Sequence, residues 1–320
     1  MSNKAYQDIP ALSHSLIVAC RDKGMLPAWR NSPFNPDRES TAPTDALEQG
    51  QLYHCLIRHP EIIERMEEFM TESVICLNPG AKTPKDETLY QISVDDTTII
   101  YVFPFGKMRT TQKYQDLRDY LVAFNMWVDD GIICTKEELD SVVERLQFLF
   151  VHPIYQVLSQ YKQVGAEIKV EFKLDGNPAK AELDAVYQMP NGKYLVVDWK
   201  TTRYSTRQAI QMCGEKLGYH IQDYIYRNAA AQHFGVSVKD IEMCFIFQNK
   251  EYPEMVYRAV FGPESYAQGE SDYAQYGRDF MARVENYKTM GFVAFMDVCG
   301  ELEFTHTPNR YIEQPEEFGL

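Results

Sequence analysis

The stretch "AEIKVEFKLDGNPAKAELDAVYQMPNGKYLVVDWK", residues 166–200, constrains this chain more than any other. "AEIKVEFKL" alternates polar and apolar residues with the period of two that a half-buried strand requires. "DGNP" is a turn, "AKAELDAVYQ" a second strand, "MPNG" a second turn and "KYLVVDWK" a third strand. Three strands joined by two tight turns make an antiparallel meander.

The second turn places two residues in space. If it folds about Asn191, opposed residues have numbers summing to 382, as Asp184 and Asp198 do. Their side chains then lie roughly 5 Å apart across the ladder. Opposed carboxylates repel unless something positive sits between them. Mg²⁺, or Mn²⁺ in its place, is the natural occupant, being a hard cation that prefers carboxylate oxygens. Lys200 is two residues beyond Asp198 and shares its face, whereas Val197 and Trp199 point into the core. Acid-x-Lys triplets are common, and this chain has three, at Glu167, Glu171 and Asp198. Only the last ends a buried apolar strand with an acid opposite it; the bland alternative is a capped strand end. Glu167, Lys169 and Glu171 share a face of the first strand. Either glutamate can complete a carboxylate cluster, and the other then belongs to a solvated face.

The flanking sequence supplies helices. Residues 11–22 have helical spacing, and a Pro-rich loop follows from Arg30. Asp45 caps a helix through "ALEQGQLYHCLIRH", and Pro60 opens another, "PEIIERMEEFM". Residues 78–96 read as loop, 97–103 as a short strand and 110–128 as a helix. Thr135 and Glu138 form a capping box for a helix ending near His152. After the meander come a helix ending at Gly235, the strands "IEMCFIFQ" and "MVYRAVF", and a last helix over about 264–289. This order predicts an α/β (α+β) fold, with a central mixed sheet of about five strands flanked by helices. The expected division is an N-terminal helical part over 1–134, a core over 135–262, and a C-terminal helix and tail over 263–320, all in one compact unit.

Gln222 and Tyr226 are four apart on one face of the helix after the meander, in a stripe with Tyr219 and His233. Gln222 is hard to explain as core; it can reach a phosphate or orient metal ligands. Gly50 and His54 are also four apart on a helix. The net charge of −14 weighs against nucleic-acid binding unless positive charge is concentrated locally. It is: from Lys200 to Arg227 five cations (Lys200, Arg203, Arg207, Lys216, Arg227) face two acids (Glu215, Asp223), a local +3. Lys107, Arg109, Lys113 and Arg118 form a second cluster. Seven widely spaced cysteines without a C-x-x-C argue against a disulfide framework, a structural zinc or an iron–sulfur cluster. No apolar run is long enough for a membrane span and "MSNKAYQDIP" has no signal-peptide core, so a cytoplasmic protein is expected.

In their order, Gly50-x-x-x-His54, Glu167, Asp184, Asp198-x-Lys200 and Gln222-x-x-x-Tyr226 resemble the PD-(D/E)XK nuclease superfamily, in its RecB-like branch. Within it, "VVDWKTT", "GYHIQDYIY", "LSHSLIVAC" and "EQGQLYHCLIRHPE" resemble the RecE-type exonucleases of phages and prophages. The resemblance covers roughly residues 10–260. It implies a restriction-endonuclease-like core with Asp184, Asp198, Glu167 (or Glu171) and His54 around the metal, and with Lys200 positioning or activating the attacking water. It also implies Gln222 and Tyr226 facing DNA; Arg203 and Arg207, from the local basic cluster, are expected as further DNA contacts. The implied activity is digestion of double-stranded DNA from 5′ ends, leaving 3′ tails for a single-strand annealing recombinase, by a ring-like homo-oligomer. An endonuclease or single-strand nuclease of the same fold, or a decayed binding module, are the alternatives. Asp184 lacks the proline that often precedes it in this family, and Trp199 is bulky for its place.

Overall fold

The computed structural model describes residues 3–38, 45–76, 86–95, 98–103, 111–128 and 130–296. Six helices come first: α1 (Asn3–Gln7), α2 (His14–Lys23), α3 (Met25–Arg30), α4 (Asp45–Arg58), α5 (Pro60–Glu64) and α6 (Met66–Phe69). Strands β1 (Met70–Cys76), β2 (Asp86–Ser93) and β3 (Ile99–Phe103), helix α7 (Thr111–Ala123) and strand β4 (Ile132–Thr135) follow. Helices α8 (Lys136–Val151) and α9 (Pro153–Leu158) lead into β5 (Lys162–Leu174), β6 (Asn177–Gln188) and β7 (Tyr194–Thr202). Then come α10 (Arg207–Lys216), α11 (Tyr219–Phe234), β8 (Ile241–Asn249), β9 (Val256–Val260), α12 (Pro263–Asp272) and α13 (Arg278–Met290), the last two joined by a π-turn.

The main sheet has the order β5-β6-β7-β8-β9 and is antiparallel except for the parallel pair β7–β8. A parallel pair needs a crossover. Here α10 and α11 supply it, which lays α11 beside β7. The first turn of the meander is Asp175-Gly176, both at positive φ, as a two-residue hairpin turn requires. The second is a longer loop with Gly192 at positive φ; it is centred on Asn191 and gives the expected register, Ala185 opposite Val197 and Gln188 opposite Tyr194.

The part before residue 135 is not simply helical. It holds a second mixed sheet, β1-β2-β3-β4. Residues 86–93, expected as loop, pair with β1 on one side and β3 on the other. Leu89 and Ile92 are completely buried there. With only two or three large apolar residues in a polar setting, the strand is held by its neighbours rather than by its own pattern. The helix expected from Pro60 breaks at Arg65 into α5 and α6. The capping box at Thr135 and Glu138 forms as expected.

Two apolar layers enclose the main sheet. Val186, Val196 and Phe245 pack with α2, α3, α11 and α13. Ala185, Val197, Trp199, Cys244 and Ile246 pack with α4 and α8, and through them with β3 and β4 of the second sheet.

Candidate active site

Asp198 alternates with Val197 and Trp199, so it faces α11 while they face α4 and α8. The site arises where β6 and β7 part. Their ladder ends at Ala185 and Val197. Beyond it Asp184 Oδ2 accepts the Trp199 backbone N–H at 2.9 Å, taking the place of a strand carbonyl. Further along the same edge of β6, Leu12 bridges to Ala179, with its N–H donating to Pro178 O and its carbonyl accepting from Lys180 N–H. The gap between these two partners is where Asp184 stands.

Three acids line up across the strands. Asp184 and Asp198 are the next residues beyond the last β6–β7 pair, Ala185 and Val197, where the strands part. On its other side Asp184 is in register with Glu167 of β5, between the pairs Ala166–Ala185 and Ile168–Leu183. Glu171 pairs instead with Lys180, so Glu167 is the glutamate beside the aspartates. Glu167 adopts φ +43°, a left-handed conformation that costs a non-glycine residue about 1–2 kcal/mol. Such strain persists where surrounding structure imposes it, and it is concentrated at functional sites.

Each acid has its own partners. Asp198 is buried; its Oδ1 accepts from Gln222 Nε2 on α11. Its Oδ2 lies 2.6 Å from the Lys200 ammonium, yet accepts no well-directed hydrogen bond. Glu167 is paired with Arg58 of α4 at 2.9 Å. Among the described residues Asp184 makes no direct ion pair with a lysine or arginine; it contacts His54 Nδ1 at 3.4 Å and the Trp199 N–H, and the Lys200 charge acts on it from beside Asp198. Burial, and then the Asp198 charge, raise the Asp184 carboxyl well above the usual carboxylate range. Burial and the Lys200 charge lower the pKa of His54, so its ring is neutral and able to ligate. Burial disfavours the charged form of Lys200, but Asp198 and Asp184 more than offset it and keep the ammonium charged. Tyr226 is half-buried; burial, Asp198 and Asp184 push its phenol up.

The predicted residues therefore separate into groups. Asp184, Asp198, Lys200, His54 and Gln222 converge, with Glu167 alongside but tied to Arg58. Gln222 is buried against Asp198, which matches orienting an acid rather than touching DNA. Arg203 and Arg207 are exposed on the loop and helix after β7. The local basic excess is smaller in space than in sequence, because Lys200 pairs with Asp198, which lies just outside the counted stretch. Lys107 and Arg109 lie outside the described residues, as does the side chain of Lys113; Arg118 lies over the Trp127 ring.

Three contributors escaped the sequence reading. Arg58 is four residues after His54 on α4, a spacing that puts both on one helical face. Glu182, two before Asp184 on its face, has its carboxyl raised to about 7 by burial and is paired with Lys169 at 4.0 Å. His14 bonds the carbonyls of Leu217 and Gly218 at the α10–α11 joint, and burial followed by Lys200 lowers its pKa to about 4. Nothing in local spacing joins His14 to residue 217.

The donor set suits a divalent cation. It offers carboxylate oxygens, a neutral imidazole and a buried carboxylate oxygen without a directed hydrogen bond. Among the described residues no three Asp, Glu, His or Cys side chains already stand close enough to hold an ion.

A mixed sheet carrying two acids and a lysine where two antiparallel strands part, flanked by helices, defines a nuclease with a restriction-endonuclease-like core. Residues 107–300 match the PD-(D/E)XK nuclease superfamily, and the chain belongs to it. Members of this superfamily generally use divalent metals such as Mg²⁺. The fold resembles that of a "Putative exonuclease" from Eubacterium rectale, with a TM-score of 0.50 and 9% identity over 94% of this chain and 93% of that one. The structure of SSO0001 aligns with 57% of this chain and 77% of its own at 14% identity and a TM-score of 0.25, too distant in shape to bear on the fold. A search of curated protein sequences finds no match. No helix among the described residues is long and apolar enough to cross a membrane.

Proposed function

We propose that the protein is a Mg²⁺-dependent deoxyribonuclease acting as an exonuclease on linear double-stranded DNA. The observation that carries the nuclease chemistry is the row Glu167, Asp184, Asp198 with the Lys200 ammonium held at its end. Asp184, Asp198, His54 and, once freed, Glu167 would hold the metal, which supplies Lewis-acid polarisation of the phosphate and acidification of water. Lys200 stays protonated and offsets negative charge that builds on the phosphate. Gln222 fixes the rotamer of Asp198, and Trp199 N–H fixes that of Asp184. Arg203 and Arg207 lie beyond the C-terminal half of β7 and are available to DNA phosphates.

Attack from 5′ ends, 3′ tails handed to an annealing recombinase, and a ring-like oligomer around DNA rest on the sequence resemblance to RecE-type enzymes. Linear duplex labelled at the 5′ or the 3′ end, and a covalently closed circle, separate the possibilities. The proposal expects Mg²⁺-dependent release of the 5′ label first and an intact circle. Linearisation of the circle would make the protein an endonuclease instead.

A further inference from the structure

We propose that Arg58 is a built-in counter-ion for Glu167, which a divalent cation displaces when it enters the site. This rests on the metal-dependent reading above.

The geometry has four parts. Arg58 and His54 share a face of α4, and Arg58 Nε donates to the His54 carbonyl at 3.1 Å, so the guanidinium is anchored at the site's edge. Its other end holds Glu167 at 2.9 Å, with both side chains about a quarter exposed (22% and 26%). Glu167 falls beside Asp184 in the β5–β6 register, has a left-handed backbone conformation, and has its carboxylate held by Arg58. Among the described residues no three Asp, Glu, His or Cys side chains already stand close enough to hold an ion.

Charge explains why such a contact would be useful. Without a metal, Glu167, Asp184 and Asp198 crowd together in a partly buried row, which is unfavourable unless compensated. Arg58 compensates Glu167, while Lys200, paired with Asp198 at 2.6 Å, also faces the Asp184 charge and is shared between the two aspartates. A divalent ion bound by Asp184 and Asp198 makes the neighbouring guanidinium a like charge and draws Glu167 toward itself. The pair is solvent-accessible, so opening it costs little compared with a buried pair. Arg58 then acts as a positioning residue that holds Glu167 in reserve, and it tunes how tightly the cation binds.

The test is calorimetric titration of the folded, DNA-free protein with Mg²⁺ and with Mn²⁺, so the readout does not depend on turnover. Arg58→Gln is expected to bind the cation about five- to tenfold more tightly, as loss of one nearby unit charge implies. Arg58→Lys, which keeps the charge, is expected to stay within about twofold of the wild type by the same reasoning. Glu167→Gln should weaken binding, and adding Arg58→Gln to it should recover less than Arg58→Gln gains alone, the signature of a coupled pair. Equal or weaker binding in folded Arg58→Gln overturns the inference. If that variant does not fold, unchanged affinity in Glu167→Gln overturns it instead. Absence of cation binding in the wild type itself would remove the metal-dependent reading, and this inference with it.

Discussion

Asp184 is where function and stability pull apart most clearly. Its carboxyl is raised by burial and by Asp198, so the folded state holds that proton more tightly than the unfolded state does. The contribution to stability is full below the ordinary carboxylate pKa of about 4 and is lost as pH rises through the raised value. Asp184→Asn removes the titration and keeps an acceptor for the Trp199 N–H. In chelator at neutral pH it is expected to melt at a higher temperature than the wild type, with the gain vanishing toward pH 4. The same variant should lose DNA cleavage. Thermal melts over a pH series check the first point; equal melting at neutral pH would contradict the assigned strain.

At the scale of elements, α4 shows how a helix is compromised for a site. Gly50 sits one turn before His54, and among the described residues outside its own helix backbone nothing lies within 4 Å of where its side chain would begin. Glycine inside a helix costs roughly 0.5–1 kcal/mol relative to alanine. Gly50→Ala is therefore expected to stabilise the protein by about that amount in denaturant unfolding, while weakening duplex binding if the open space admits DNA. Unchanged DNA affinity would make Gly50 a neutral position. The meander was legible from sequence because its alternation and its two turns are local signals, and Asn191 as pivot gives the β6–β7 register seen in the ladder from Gln188–Tyr194 to Ala185–Val197. β2 and β4 were not legible. β2 has few apolar residues, and the four-residue β4 is held by pairing with β3 and by burial against α4 and α8. The acids and Lys200 lie on strands whose register is local. Arg58 depends on how α4 docks, and His14 on a contact across more than 200 residues, so neither follows from spacing on the strands.

For the whole molecule, the site depends on chain segments far apart in sequence. Lys180 of β6 is buried, and its ammonium donates to the carbonyls of Tyr6, Gln7 and Ile9 at 2.8, 2.8 and 3.1 Å. This ties the first helix to the strand that carries Asp184. On the other layer, Tyr53 Oη meets Gln248 Oε1 at 3.0 Å and pins α4 to β8, next to His54. Lys180→Met leaves the three carbonyls without their donor, at a cost of about 1–3 kcal/mol each where they stay buried. It is expected to expose residues 3–12 to limited proteolysis under native conditions and to lower cleavage activity. Wild-type resistance to protease would show that the N-terminal segment is held by other contacts.

The central claim is that Asp198 and Lys200 form the working end of a metal-dependent nuclease site. Its most direct test is hydrolysis of end-labelled linear duplex by the wild type, Asp198→Ala and Lys200→Ala, each verified as folded by circular dichroism, with Mg²⁺ and with chelator. The account predicts release of labelled nucleotides only by the wild type with Mg²⁺. Wild-type rates in both variants, or cleavage indifferent to chelator, would contradict it.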